Sequence, residues 1–479
     1  MASSQEKAVA VILMGGPTKG RSTPPPPPCQ ILSLLFSFFL RIQVLDSCFR
    51  RRRRRRRRCS GTRFRPLSLN VPKPLVPLAG QPMVNHPISA CKRIPNLARI
   101  YLIGFYEERE FALYVSSISN ELRVPVRYLR EDKPLGSAGG IYKFRDHIME
   151  ENPCHIFLLN CDVCCSFPLS EMLDAHRRHG GMGTILVIKV SAETANQFGE
   201  LVADPVTNEV LHYTERPETF VNDLINCGVY VFTPQIFTII QEVVLQGNNT
   251  VNLRRETSLE AFQSVAKYEF VELICIVLEL VLTSLNRVLP PEFVRLDQDI
   301  LTPLAGKKKL YTYETVDFWE QIKTPGMSLR CSELYLSQFR RTTPHLLATG
   351  DGTRSPSITG DVFIHPSAKV HVTAKIGPNV SVSANARIGA GVRLISCIIL
   401  DDVDIKENAV VINSIVGWKS SIGRWARVQA SLGEGDYNAK LGITILGEAV
   451  AVEDEVVVIN SIILPHKTLS ISVQEEIIL

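Results

Sequence analysis

The sequence predicts an α/β domain built on a mainly parallel sheet, followed by a left-handed parallel β-helix. Three observations carry this expectation. Short β-rich runs alternate with helical runs over residues 1–330, a hexapeptide repeat runs through 356–479, and a glycine pair follows the first β-rich run.

The alternation places strands at 9–13, 100–103, 127–128, 156–159, 184–188 and 229–232, with helices such as 83–94 and 169–179 between them. Parallel neighbours need a crossover long enough to hold a helix, so this order folds as a sheet with helices on its faces. One stretch breaks the rhythm. Residues 21–60 hold prolines from Pro24 to Pro28, an apolar patch and an unbroken arginine run from Arg50 to Arg58. Such a composition does not pack as a core element and reads as a disordered insertion. A second insertion is expected at 268–287, and 331–355 reads as the linker to the repeat.

The repeat places an aliphatic residue at every sixth position: Ile364, Val370, Ile376, Val382, Ile388, Leu394 and Leu400. A companion series two residues earlier runs from Val362 through Ala368, Ala374, Val380, Ala386 and Val392 to Ile398. After one slip the period resumes at Val410, Val416, Ile422 and Val428. A helix repeats at 3.6 and a half-buried strand at two, so neither explains a period of six; triangular coils with one inward aliphatic per side do.

Composition narrows the function classes. The arginine run of 50–58 outweighs the whole net charge of +5, so the rest of the chain is mildly acidic and nucleic acid is not an expected partner. The apolar stretches 31–40 and 271–285 fall short of the roughly 20 residues that span a bilayer, and the second carries Glu272 and Glu279. With no secretory signal pattern and cysteines scattered outside any zinc spacing, the expectation is a cytoplasmic protein with reduced thiols and no membrane partner.

Gly15-Gly16 after the first strand offers a loop on which a triphosphate can rest, since glycine lets a backbone approach closely. With 21–60 set aside, the chain runs GGPTKGGTRFRPLSLNVPKPL, a glycine loop followed by cations. Joined this way, the segment resembles the signature of the sugar-nucleotide pyrophosphorylases, and in particular the alpha-type subunits of GDP-mannose pyrophosphorylase. The resemblance continues through Pro134-Leu135-Gly136-Ser137-Ala138-Gly139-Gly140, Leu159-Asn160-Cys161-Asp162-Val163, Phe198-Gly199-Glu200, Glu215-Arg216-Pro217, Ile225-Asn226-Cys227-Gly228 and Glu476-Ile477-Ile478-Leu479. Insertions apart, it covers essentially the whole chain.

The resemblance implies a Rossmann-like nucleotidyltransferase domain that joins GTP and mannose 1-phosphate into GDP-mannose and pyrophosphate. It implies that Arg63 and Lys73 grip the pyrophosphate and that Asp162 holds Mg²⁺. Gly15, Gly16, Glu131 and Gly136 are expected at the nucleotide, the Glu131 carboxylate accepting from guanine N1–H and N2–H₂. Gly199, Glu215, Arg216 and Asn226 are expected at the sugar phosphate. Two departures bear on turnover. Active relatives carry Lys where Arg216 stands, and a metal-binding Asp where Gln321 stands in Phe318-Trp319-Glu320-Gln321-Ile322. Alpha-type subunits share the second departure, which implies the alternative of a GDP-mannose-binding regulatory subunit of a beta-type catalytic chain. Homo-oligomers and hetero-oligomers with that chain are expected. An acyltransferase built on His365 and His371 of the repeat is the weakest alternative.

Overall fold

The computed structural model describes residues 6–15, 62–246, 293–430 and 442–479. Gly16 and both expected insertions, 21–60 and 268–287, lie outside the described residues.

The strands that build the first domain are β1 (Ala8–Leu13), β2 (Leu97–Gly104), β3 (Val126–Arg130), β4 (His155–Asn160), β5 (Val163–Cys165), β6 (Gly183–Lys189), β7 (Gly199–Ala203), β8 (Val210–Glu215), β9 (Leu224–Phe232), β10 (Leu310–Glu314) and β11 (Trp319–Gln321). All but β5 and β11 share one mixed sheet. β1 pairs in parallel with β2 on one side and β4 on the other, and β3 extends the sheet beyond β2. Beyond β4 the sheet turns antiparallel through β9. Every strand expected from the sequence lies inside one of these.

β1 reads AVAVIL without a polar residue because both its faces are covered. Ala8, Ala10 and Ile12 pack into a core with α1 (Asn85–Cys91), α2 (Glu108–Leu122) and a later helix, Leu169–His179. Val9 and Val11 point the other way, into a core shared with α3 (Gly136–Lys143). The chain marches from β1 to β2 to β3 on one side and returns with β4 on the other. This reversal leaves a crevice at the carboxyl ends of β1 and β4, where ligands settle in open α/β sheets.

Residues 331–342, placed in a linker by the sequence, belong instead to a long helix, Pro325–Thr342. Its buried stripe, Ser328, Cys331, Ser332, Tyr335, Leu336 and Phe339, has helical spacing, but serine and cysteine dilute its apolar signal. This helix helps join the two domains. Tyr335 stacks on buried His86 (ring centroids 3.7 Å apart), and the joining cluster takes in Phe64, Leu67, Ile322, Phe363, Ile398 and Leu400.

The C-terminal region is a parallel β-helix, its short strands laid into three sheets of seven, seven and six. The hexad holds from Ile376 to Leu394, but the slip comes earlier than the sequence pattern suggested. Val382 pairs with Ile399, Leu394 with Val411, and Ile399 with Val416. The inward residues are therefore Ile399, Ile405 and Val411, with Cys397, Val403 and Ala409 as companions. Leu400 and Ile398 face the domain junction, and Val410 is only half-buried. The period misled because Cys397 to Leu400 are all apolar: a sheet face buried on both sides carries no alternation from which register can be read.

Candidate functional site

β4 ends at Asn160, and a tight turn carries Cys161 and Asp162 into β5. There β11 runs antiparallel to β5, setting Gln321 opposite Val163 and Glu320 opposite Cys164. The Ile322 N–H donates to the Asp162 carbonyl at 2.8 Å, which fixes Gln321 beside Asp162. The Asp162 carboxylate meets the Lys73 ammonium at 3.0 Å. Glu320, one residue from the expected carboxylate position, faces away and accepts from the Gln321 backbone N–H at 3.1 Å.

Against this turn lies a cavity of about 200 Å³ lined by Ser137, Gly199, Glu215, Asn226, Asp297 and Gln321 among others. Its walls are cross-braced. Asn226 Nδ2 donates to the Tyr213 and Tyr230 hydroxyls at 3.1 and 2.9 Å, and Tyr213 Oη donates to Glu215 Oε2 at 3.0 Å. Burial, then the charge of Asp297, pushes the Glu215 carboxyl above its ordinary range. A Cβ on Gly199 would sit 2.3 Å from the Tyr213 hydroxyl, so only glycine leaves this wall in place. A larger opening of about 510 Å³ adjoins it, with Arg63, Arg216 and Lys323 among its lining residues. The Arg216 Nε lies 3.3 Å from Glu215 Oε1.

The expected nucleotide residues gather elsewhere, around the carboxyl ends of β1 and β3. Gly15 has φ of +78°, and among the described residues nothing lies within 4 Å of the position its Cβ would take. Gly136 is instead filled from behind: the Val294 carbonyl would be 2.3 Å from its Cβ and accepts from the N–H groups of Ala138 and Gly139. Glu131 is buried beneath α3 with Oε1 unpartnered, and burial pushes its carboxyl up to about 7. A carboxyl raised in the folded state stabilises fully below its unfolded pKa and loses that contribution as pH rises through about 7. Stability should fall by up to about 3 kcal/mol between pH 4.5 and 8 on this account. Glu131→Gln should flatten that fall in urea titrations run across the range; parallel curves for the two chains would remove Glu131 as its source.

Sequence reasoning missed Lys323, Asp297 and the two tyrosines. Lys323 stands two residues past the altered motif at Gln321, close enough that it was open to reading. Tyr213 and Tyr230 sit in apolar strands, where nothing separates a cavity wall from core. His365 and His371 are taken up locally, their Nδ1 atoms 2.9 Å from the Ser367 and Thr373 hydroxyls. Cys161, Cys164 and Cys165 are buried thiols pushed up by burial, and among the described residues no three of His, Cys, Asp and Glu converge as a metal site would need.

A mixed α/β sheet with a strand-end aspartate beside a polar cavity, and a parallel β-helix behind, is the architecture of a nucleotidyltransferase. The family model described as Nucleotidyl transferase matches residues 59–271, and that described as GMPPB C-terminal domain matches 358–479. The mannose-1-phosphate guanylyltransferase regulatory subunit alpha-B of Danio rerio is 46% identical over 438 residues, covering 88% of this chain and 97% of the relative. The regulatory subunit alpha of Dictyostelium discoideum is 44% identical over 427 residues (88% and 96%), and that of Homo sapiens 42% over 438 residues (88% and 97%). The chain belongs to the mannose-1-phosphate guanylyltransferase alpha-subunit family, and so to GDP-mannose biosynthesis.

Nucleotidyltransferases of this kind generally use a divalent metal. The donors at the turn do not fit one well: the Asp162 carboxylate is already ion-paired with Lys73, its neighbour Gln321 is a neutral amide, and Glu320 is turned away. Among the described residues no helix is long and apolar enough to cross a membrane.

Proposed function

We propose that this chain binds GDP-mannose and acts as the catalytically weak, regulatory member of a hetero-oligomer with a beta-type catalytic chain. The observation that carries the reading is Gln321, held beside Asp162 where turnover would need a second carboxylate for Mg²⁺. Gly199, Glu215 and Asn226 face the sugar in this reading, and Arg63, Lys73 and Arg216 face the phosphates. Glu131, once ionised, accepts from guanine N1–H and N2–H₂, with Gly15 and Gly136 shaping the nucleotide end. The names of the relatives support the regulatory role, and self-association through the β-helix and a cytoplasmic location belong to the same proposal.

The rival reading is turnover: attack of the mannose 1-phosphate oxygen on the α-phosphorus of GTP, with pyrophosphate leaving. Pyrophosphate release should be measured with GTP, mannose 1-phosphate and Mg²⁺, using a beta-type chain as the benchmark. The expected result is a rate at least about a hundredfold below the benchmark, because transition-state charge is left unmatched. GDP-mannose should still bind. A rate near the benchmark overturns the regulatory reading.

A further inference from the structure

We propose that Lys323, together with the Lys73–Asp162 pair, takes the place of a divalent cation, so that this chain holds the diphosphate of a sugar nucleotide without metal. The inference rests on the sugar-nucleotide-binding reading above and specifies how that site meets its ligand's charge.

The first support is position. The Ile322 N–H is tied to the Asp162 carbonyl, and the Lys323 N–H donates to the Gln321 carbonyl at 2.9 Å, so the Lys323 side chain leaves the backbone one residue past the anchor on Asp162. Its ammonium lies 4.3 Å from the centroid of the Phe198 ring, a seat that orients a cation without neutralising it. The charges acting on it are those of Arg216 and Arg63 on one hand, and Asp162 and Glu215 on the other.

The second support is the charge count. Those two carboxylates already have cations of their own, Lys73 at 3.0 Å from Asp162 and Arg216 at 3.3 Å from Glu215. Lys323 and Arg63 therefore face the opening of about 510 Å³, where with Arg216 they make three cations against one lining carboxylate, Glu218. A neutral Gln321 removes one negative charge relative to a carboxylate, and Lys323 adds one positive charge. Together they shift the local charge by the two units that a divalent cation carries. A metal bound here as well would meet Lys73 and Lys323 at close range, which disfavours it.

GDP-mannose titrations of the full chain by calorimetry, in millimolar Mg²⁺ and again in EDTA, test the proposal. The expected result is the same Kd within about twofold. A loss of about tenfold or more in EDTA overturns metal independence while leaving sugar-nucleotide binding in place; no binding in either buffer overturns the parent reading with it. Lys323→Gln should weaken GDP-mannose by about tenfold or more, yet leave guanosine, which lacks the diphosphate, within about twofold. An equal loss for both ligands reveals a merely structural role and overturns the assignment of Lys323. A third arm needs no nucleotide: Mn²⁺ titrated into the full chain should keep its free electron paramagnetic signal, and saturable binding at micromolar Mn²⁺ overturns the proposal.

Discussion

Removing residues 21–60 is expected to tighten GTP and GDP-mannose binding by about 20-fold. β1 delivers the chain to Gly15, whose left-handed backbone suits the start of a loop wrapped on phosphate. Arg63, the first expected phosphate cation, lies beyond 16–61, a stretch of 46 residues in the full chain and of only six once 21–60 are cut out. Ordering a loop on a ligand costs entropy that grows by about 0.6 kcal/mol per doubling of its length. Six to 46 residues is about three doublings, about 1.8 kcal/mol, or about 20-fold in affinity. Calorimetry on the full and shortened chains checks the expectation. Equal affinities would show that the long segment leaves the phosphate loop free to form.

Much of this was legible before any coordinates. The strands of the first domain showed because each is a short apolar run bounded by turn residues, and a strand buried on both faces has no polar interruptions to hide it. The β-helix showed because its six-residue period matches no other element. What was not legible was set by neighbours far away in sequence. Gln321 could be flagged from its motif, but the pairing of Asp162 with Lys73 depends on two segments 89 residues apart. Gly136 is expected at the nucleotide, but that the Val294 carbonyl packs behind it could not be read, because no local pattern connects the two segments. The helix Pro325–Thr342 was hidden because its buried face mixes serine and cysteine with aromatics, a composition suited to meeting two domains at once.

The one-residue correction at Ile399 and Leu400 leads to opposite functional consequences for adjacent substitutions. Both side chains are fully buried, so Ile399→Ala and Leu400→Ala should each lower stability by about 2–5 kcal/mol. Their cavities open in different places. Ile399 belongs to the interior of the β-helix, stacked between Val382 and Val416. Leu400 belongs to the joining cluster that also holds Phe64 and Ile322, and those two residues adjoin Arg63 on one strap of the site and Gln321 and Lys323 on the other. A void beside Leu400 is therefore expected to loosen the backbone that carries the proposed phosphate cations, whereas a void beside Ile399 stays among the coils of the β-helix. In the folded proteins, Leu400→Ala should weaken GDP-mannose by severalfold, on the order of 1 kcal/mol, and Ile399→Ala should leave it unchanged. Thermal unfolding and calorimetry on both variants separate the two effects. An affinity loss confined to Ile399→Ala would mean that the slip had been put in the wrong coil. Equal retention of affinity would mean that the joining cluster holds the domains together without positioning the site.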